Sequence, residues 1–228
     1  MSSIRHITVI ATLLAATPAA AETEHDLGGW LNVTVQGHWG KNGAGAWFAE
    51  VQPRLQDDLG RVDQVILRGA VGYKVARGLT LYQGYAHVVM PVSGGTDIGE
   101  DRTFQQVSWV IPGLARGELS SRTRFEQRWR SDGHDMQLRA REMVRFEYPL
   151  GRDDGVRALT SVEGFWAFNS VDWRPRSGFD QVRTFVGAEI PIGGTSTVEA
   201  GYLNQIIDRP GNNARMNHNI SLSVFWRL

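Results

Sequence analysis

Ser121-Arg122-Thr123-Arg124-Phe125-Glu126-Gln127-Arg128-Trp129-Arg130 decides the fold. Thr123, Phe125 and Trp129 alternate with Arg122, Arg124, Glu126, Arg128 and Arg130. Successive side chains of a β-strand point to opposite faces, so this period of two gives a strand with one apolar and one charged face. If the arginines faced lipid, each would cost about 2–4 kcal/mol near the midplane. In a membrane barrel the apolar face must therefore lie outside and the arginine face inside.

The same alternation continues on both sides. From 135 to 148, Leu138, Ala140, Val144, Phe146 and Tyr148 oppose Arg139, Arg141, Arg145 and Glu147. Upstream, Val65, Leu67, Val71, Tyr73 and Val75 oppose Gln64, Arg68 and Lys74. Trp47, Ala49, Val51, Pro53 and Leu55 set an apolar face against Glu50, Gln52 and Arg54. At the C-terminus Ile220, Leu222, Val224, Trp226 and Leu228 oppose Asn219, Ser221, Ser223 and Arg227. Weaker alternation marks 27–36, 79–90, 101–111, 156–169, 178–192 and 195–208. Eleven candidate strands result, most of them long enough for the roughly 9–11 residues a tilted membrane strand needs.

Single-chain bacterial barrels have even strand numbers. Twelve strands are therefore expected, or ten if 27–36 is not a full strand. Tight turns are expected at Arg77-Gly78, Gly151–Asp154 and Gly193-Gly194, and longer loops at Ser93–Glu100, Ser170–Ser177 and Asp208–Arg215. Trp30, Trp47, Trp129, Trp166 and Trp226 fall toward strand ends, the place of aromatic girdles. Glu142 breaks the pattern by falling on the apolar face, which points to a bulge, a membrane edge or a shifted register.

The 24 basic and 24 acidic side chains cancel, which excludes a strongly basic nucleic-acid-binding domain. With no cysteine there is no disulfide framework, thiolate zinc site or lipid-anchored N-terminal cysteine. All basic residues but Lys41 and Lys74 are arginine. The planar guanidinium suits a confined interior where one cation holds two carboxylates, although a GC-rich genome produces the same bias. The N-terminus carries Arg5, an apolar run from Ile7 to Ala16 and small residues to Ala21, the pattern of a cleaved signal peptide. The expected organisation is thus a signal peptide over 1–21 and one all-β domain over 22–228. That domain is a single antiparallel transmembrane β-barrel in the cell outer membrane.

The run Arg122-Thr123-Arg124-Phe125-Glu126-Gln127-Arg128 is followed by Leu138-Arg139-Ala140-Arg141-Glu142-Met143-Val144-Arg145 and Tyr148-Pro149-Leu150. Phe179-Asp180-Gln181-Val182-Arg183, Val198–Gln205 and Asn217-His218-Asn219 come later. In order and spacing these resemble the uncharacterised outer-membrane family catalogued as domain of unknown function 2490. The resemblance covers nearly the whole chain after the signal peptide. It implies a Gram-negative outer-membrane barrel and brings no activity or catalytic residue. The last strand also resembles the signal read by the barrel-assembly machinery, with Val224, Trp226 and Leu228 at alternate positions.

Candidate lumen-lining residues are Arg122, Arg124, Glu126 and Arg128 on one strand, and Arg139, Arg141 and Arg145 on the next. Glu163, Arg183 and Glu199 join them from later strands. No phosphate-cradling loop or metal-ligand spacing occurs, so no cofactor or metal is expected. Ser131, Asp132 and His134 lie too near in sequence to form a nucleophile–base pair readily and read as a hairpin loop. Three function classes follow. The first is a narrow passive channel for small anionic or polar solutes. The second is a closed structural or surface-interaction barrel, and the third an outer-membrane enzyme acting on lipid or envelope substrates. Expected partners are outer-membrane lipid and the assembly machinery during insertion, and no nucleic acid.

Overall fold

Each strand pairs with the next along the chain, and the last returns to the first, so the sheet has no free edge. The structure, a computed structural model, describes residues 23–111, 116–151, 155–173, 176–209 and 213–228. The expected signal peptide and the turn residues 152–154 lie outside them. The strands are β1 (Thr23–Trp39), β2 (Gly45–Gln56), β3 (Arg61–Ala76), β4 (Leu79–Met90), β5 (Ile98–Ile111) and β6 (Glu118–Arg130). They continue as β7 (Gln137–Pro149), β8 (Arg157–Ala167), β9 (Gly178–Gly193), β10 (Ser196–Arg209) and β11 (Asn213–Arg227).

The barrel has eleven strands, neither twelve nor ten. Ten of its pairings are antiparallel, and an odd count then brings the first and last strands together pointing the same way. β1 and β11 pair in parallel, from Thr23 opposite Ala214 to Gln36 opposite Arg227. The expectation of an even count assumed an antiparallel closure, which this chain does not use. The stretch 27–36 is the centre of the longest strand, 17 residues in all. At this seam the backbones approach closely. A Cβ on Gly28 would lie 2.3 Å from Asn219 Oδ1, which explains why glycine stands there.

Loops alternate between two mouths. At the front mouth, where β1 and β11 begin, lie the loops 91–97 and 131–136 and the described residues 168–173 and 176–177 between β8 and β9. At the rear mouth, where Leu228 ends the chain, lie the two-residue turns Arg77-Gly78 and Gly194-Thr195. The long loop expected at Asp208–Arg215 is mostly strand, because β10 runs to Arg209 and β11 starts at Asn213.

The apolar residues Leu67, Val71, Tyr73, Val144, Val186 and Ile220 are exposed on the outer wall, while neighbours one position away such as Arg68, Ala70, Phe185, Asn219 and Ser221 are buried. Trp129 and Trp166 ring the front edge of that wall, and Trp39, Trp109 and Trp226 the rear edge. Trp30 departs from the expected girdle. It is buried inside the lumen, since the inward phase of β1 is Trp30, Asn32 and Thr34. Glu142 needs no bulge, because its register is regular on both sides. Its exposed carboxylate accepts hydrogen bonds from the hydroxyls of Ser121, at 2.6 Å, and Thr123 on the neighbouring strand.

Candidate functional site

Alternation on β5 to β9 sends a continuous set of ionised side chains into the lumen. At its waist Glu126 is 1% exposed and Arg124 2%. Glu126 Oε2 accepts from Arg139 Nε at 2.9 Å and Nη2 at 2.5 Å, while Oε1 accepts from Arg141 Nη1 at 2.8 Å. Arg141 is held on its other side by Glu163, with Nη2 at 2.8 Å and Nε at 3.1 Å. Glu163 also accepts from Arg122 at 2.9 Å and has Arg183 at 3.7 Å. The result is a belt in which each carboxylate serves two or more arginines and Arg141 bridges two carboxylates. The guanidinium fork makes this geometry possible, because lysine offers one point charge where arginine offers several donors in a plane.

Aromatic rings pack among the charges. The Arg124 guanidinium lies 4.3 Å from the Phe104 ring centroid, and Arg141 and Arg183 lie 4.6 and 4.4 Å from that of Phe165. Gly84 leaves the space Phe104 occupies, since a Cβ there would sit 2.1 Å from the ring. Arg124 also donates through Nε to Gln106 at 2.9 Å. Toward the front, Glu100 accepts from Arg102 at 2.7 Å and Arg128 at 2.5 Å. Arg139 adds a contact to Asp180 at 3.4 Å.

Charge is segregated along the lumen. At the rear Arg145 meets Glu147 at 2.6 Å, Glu199 at 2.8 Å and Glu189 at 3.3 Å, and Arg157 meets Glu147 at 3.1 Å. Carboxylates outnumber guanidiniums there. At the front a vestibule of about 560 Å³ is lined by ten arginines and only four carboxylates, Asp63, Glu100, Asp180 and Asp208. Trp30 and Trp173 also line it. Ile66, Ala86 and Val88, with Met90 against them, form one small apolar cluster inside the barrel.

Of the ten charged residues singled out in the sequence, Arg124, Glu126, Arg128, Arg139, Arg141 and Glu163 are buried, and the ten do not form one site. Arg122, Arg124, Glu126, Arg139, Arg141, Glu163 and Arg183 meet at the waist. Arg128 belongs with Glu100 toward the front, and Arg145 and Glu199 to the rear cluster. Trp226 and Leu228 are exposed on the outer wall at the rear, where the Leu228 N–H donates to Gln36 O at 2.9 Å, and Val224 shares that face. Arg54, Trp30 and Trp173 were not singled out for the lumen. Arg54 could have been found from its inward phase beside Glu50. Trp173 could not, because it lies in a loop and period two says nothing there.

Two loops clasp each other over the front mouth. The His134 N–H donates to Asp172 Oδ2 at 2.9 Å, and the Asp172 N–H returns to Asp135 Oδ2 at 3.0 Å. Those loop N–H groups, His134 first, hold the Asp172 carboxyl below the ordinary carboxylate range. Trp173 Nε1 donates to Asp135 O at 2.8 Å, and its ring lies 5.1 Å from the Arg128 guanidinium. Ser131, Asp132 and His134 are tied to different neighbours. Ser131 Oγ accepts from the Gly99 N–H at 3.0 Å, Asp132 is held by Arg130 at 2.6 Å, and His134 donates to Asp172. Among the described residues no group of three or more His, Asp or Glu could hold a metal ion.

A family model described as a protein of unknown function, DUF2490, matches residues 27–217. An uncharacterized protein of Methylorubrum extorquens is 46% identical to the chain, covering 98% of it and 99% of the relative. No solved structure matches.

Proposed function

Because the chain belongs to the DUF2490 family, whose name assigns no activity, we propose from geometry that it is an outer-membrane β-barrel closed at its waist. It presents an arginine-rich vestibule at one mouth. The observation carrying this reading is the belt of Arg124, Glu126, Arg139, Arg141 and Glu163, all buried among themselves inside the wall. A passage wide enough for water would leave those side chains accessible. The exposed apolar wall with tryptophans at both edges suits a hydrocarbon layer. So do the N-terminal signal-peptide pattern and the alternate residues Val224, Trp226 and Leu228, which the barrel-assembly machinery would read.

One observation favours the channel as a second reading. The excess of arginine at the front attracts anions, as arginine-lined pores do. Conduction then requires the belt to open. Refolded protein in planar lipid bilayers separates the two: the closed reading expects no discrete conductance steps. Regular anion-favouring steps that change in Arg124→Ala or Arg141→Ala would replace it with the channel.

A further inference from the structure

Arg54 is 6% exposed, lies 3.7 Å from the Trp30 ring centroid, and among the described residues donates only to Gln52, at 2.7 Å. Arg183 comes from the other side of the lumen and lies 4.7 Å from the same centroid. Its contacts are long, 3.7 Å to Glu163 and 3.5 Å to Gln181. The buried Nε atoms of Arg54, Arg183 and Arg209 have no hydrogen-bond partner, and all three residues line the front vestibule. Among the described residues neither Arg54 nor Arg209 forms a salt bridge.

Buried guanidinium N–H groups without an acceptor are unfavourable, and a net positive cavity around them is more so. An oxyanion resolves both. The three free N–H groups come from β2, β9 and β10, and so from different directions around the lumen. A carboxylate presents its acceptors in one plane, whereas a tetrahedral phosphoryl group presents oxygens in several directions and so suits donors that approach from different sides of the lumen. We propose that the front vestibule is a binding site for a small phosphoryl anion, seated between Arg54 and Arg183 beside Trp30. Both guanidiniums lie against the Trp30 ring, so the tryptophan positions the cations and is not a stacking platform for the ligand. Arg209 and the amide of Gln205 extend the site toward the mouth. The site does not depend on whether the waist opens, so bilayer conductance and ligand binding test separate claims.

Calorimetric titration of the refolded protein in zwitterionic detergent with pyrophosphate tests this, with citrate as the carboxylate comparator. The expected result is one-to-one binding of pyrophosphate, tighter than citrate, and weakened at least about tenfold in both Arg54→Met and Arg183→Met. Each variant must keep the heat-modifiable gel mobility of a folded barrel. A third variant, Arg116→Met on the rear side of the wall, should bind as the parent does. Absence of heat from folded protein, equal binding of citrate, or binding untouched by both vestibule variants would overturn the site.

Discussion

The waist and the front vestibule are built from the same residue type and differ in what the arginines meet. At the waist Arg139 and Arg141 share Glu126, and Arg141 reaches on to Glu163. In the vestibule Arg54 meets the Trp30 ring and Gln52, and Arg183, at the border with the waist and 3.7 Å from Glu163, meets the same ring and Gln181; each leaves a buried Nε without a partner, as Arg122 also does at the waist. Pairing makes the waist a structural element whose members depend on one another. In the vestibule ten arginines face four carboxylates, and Arg54 and Arg209 form no salt bridge among the described residues, which leaves positive charge for an anion to meet. An arginine count describes neither, because function follows from the local ratio of guanidinium to carboxylate.

The largest effect should come from breaking the waist. Glu126→Ala leaves Arg139 and Arg141 without their shared acceptor, and removing one partner of a buried ion pair costs about 3–5 kcal/mol. Urea unfolding of the protein in lipid vesicles should show that loss, and a change near zero would mean the belt is not interdependent. Arg54→Met applies the same logic at the mouth with the opposite expectation. No carboxylate is stranded, and the methionine stem still covers Trp30. The unfolding free energy should change by less than about 1 kcal/mol, even though pyrophosphate binding falls. If Arg54→Met destabilised as much as Glu126→Ala, the distinction between the two regions would collapse.

The smallest effect concerns the clasp above the vestibule. Asp172 has a lowered carboxyl in the folded protein, so its contribution is present above the ordinary carboxylate range, around pH 4. It is lost as pH falls through the lowered value. The emission of Trp173, isolated as the difference between the protein and Trp173→Phe, should change across that acid window. In Asp172→Ala the acid-form emission should already be present at neutral pH. A difference spectrum independent of pH in the parent would remove Asp172 from the control of that loop.

Much of the barrel can be read in advance because a strand has only two faces. The run from Arg122 to Arg130 and the run from Leu138 to Tyr148 each place every side chain correctly once the period is known, and all eleven strands are visible this way. Only the rule of even counts departs from the eleven strands, because it adds a twelfth that no alternation shows or discounts the alternation in 27–36. Trp30 misled for a different reason: tryptophan is at home both in a girdle and against guanidiniums, and only its phase on β1 separates the two. Glu142 is an exception the pattern exposes but cannot explain, because its hydroxyl partners Ser121 and Thr123 lie on another strand.

By itself the sequence determined that each strongly alternating strand has one apolar and one charged face, and that arginine and glutamate share the charged one. That follows from covalent geometry, since alternation is a property of one extended chain. It could not determine which arginine meets which carboxylate, that β1 and β11 close in parallel, or that Arg54 and Arg183 converge on Trp30. Those depend on register between strands and on distances across the lumen, which exist only once the sheet has closed.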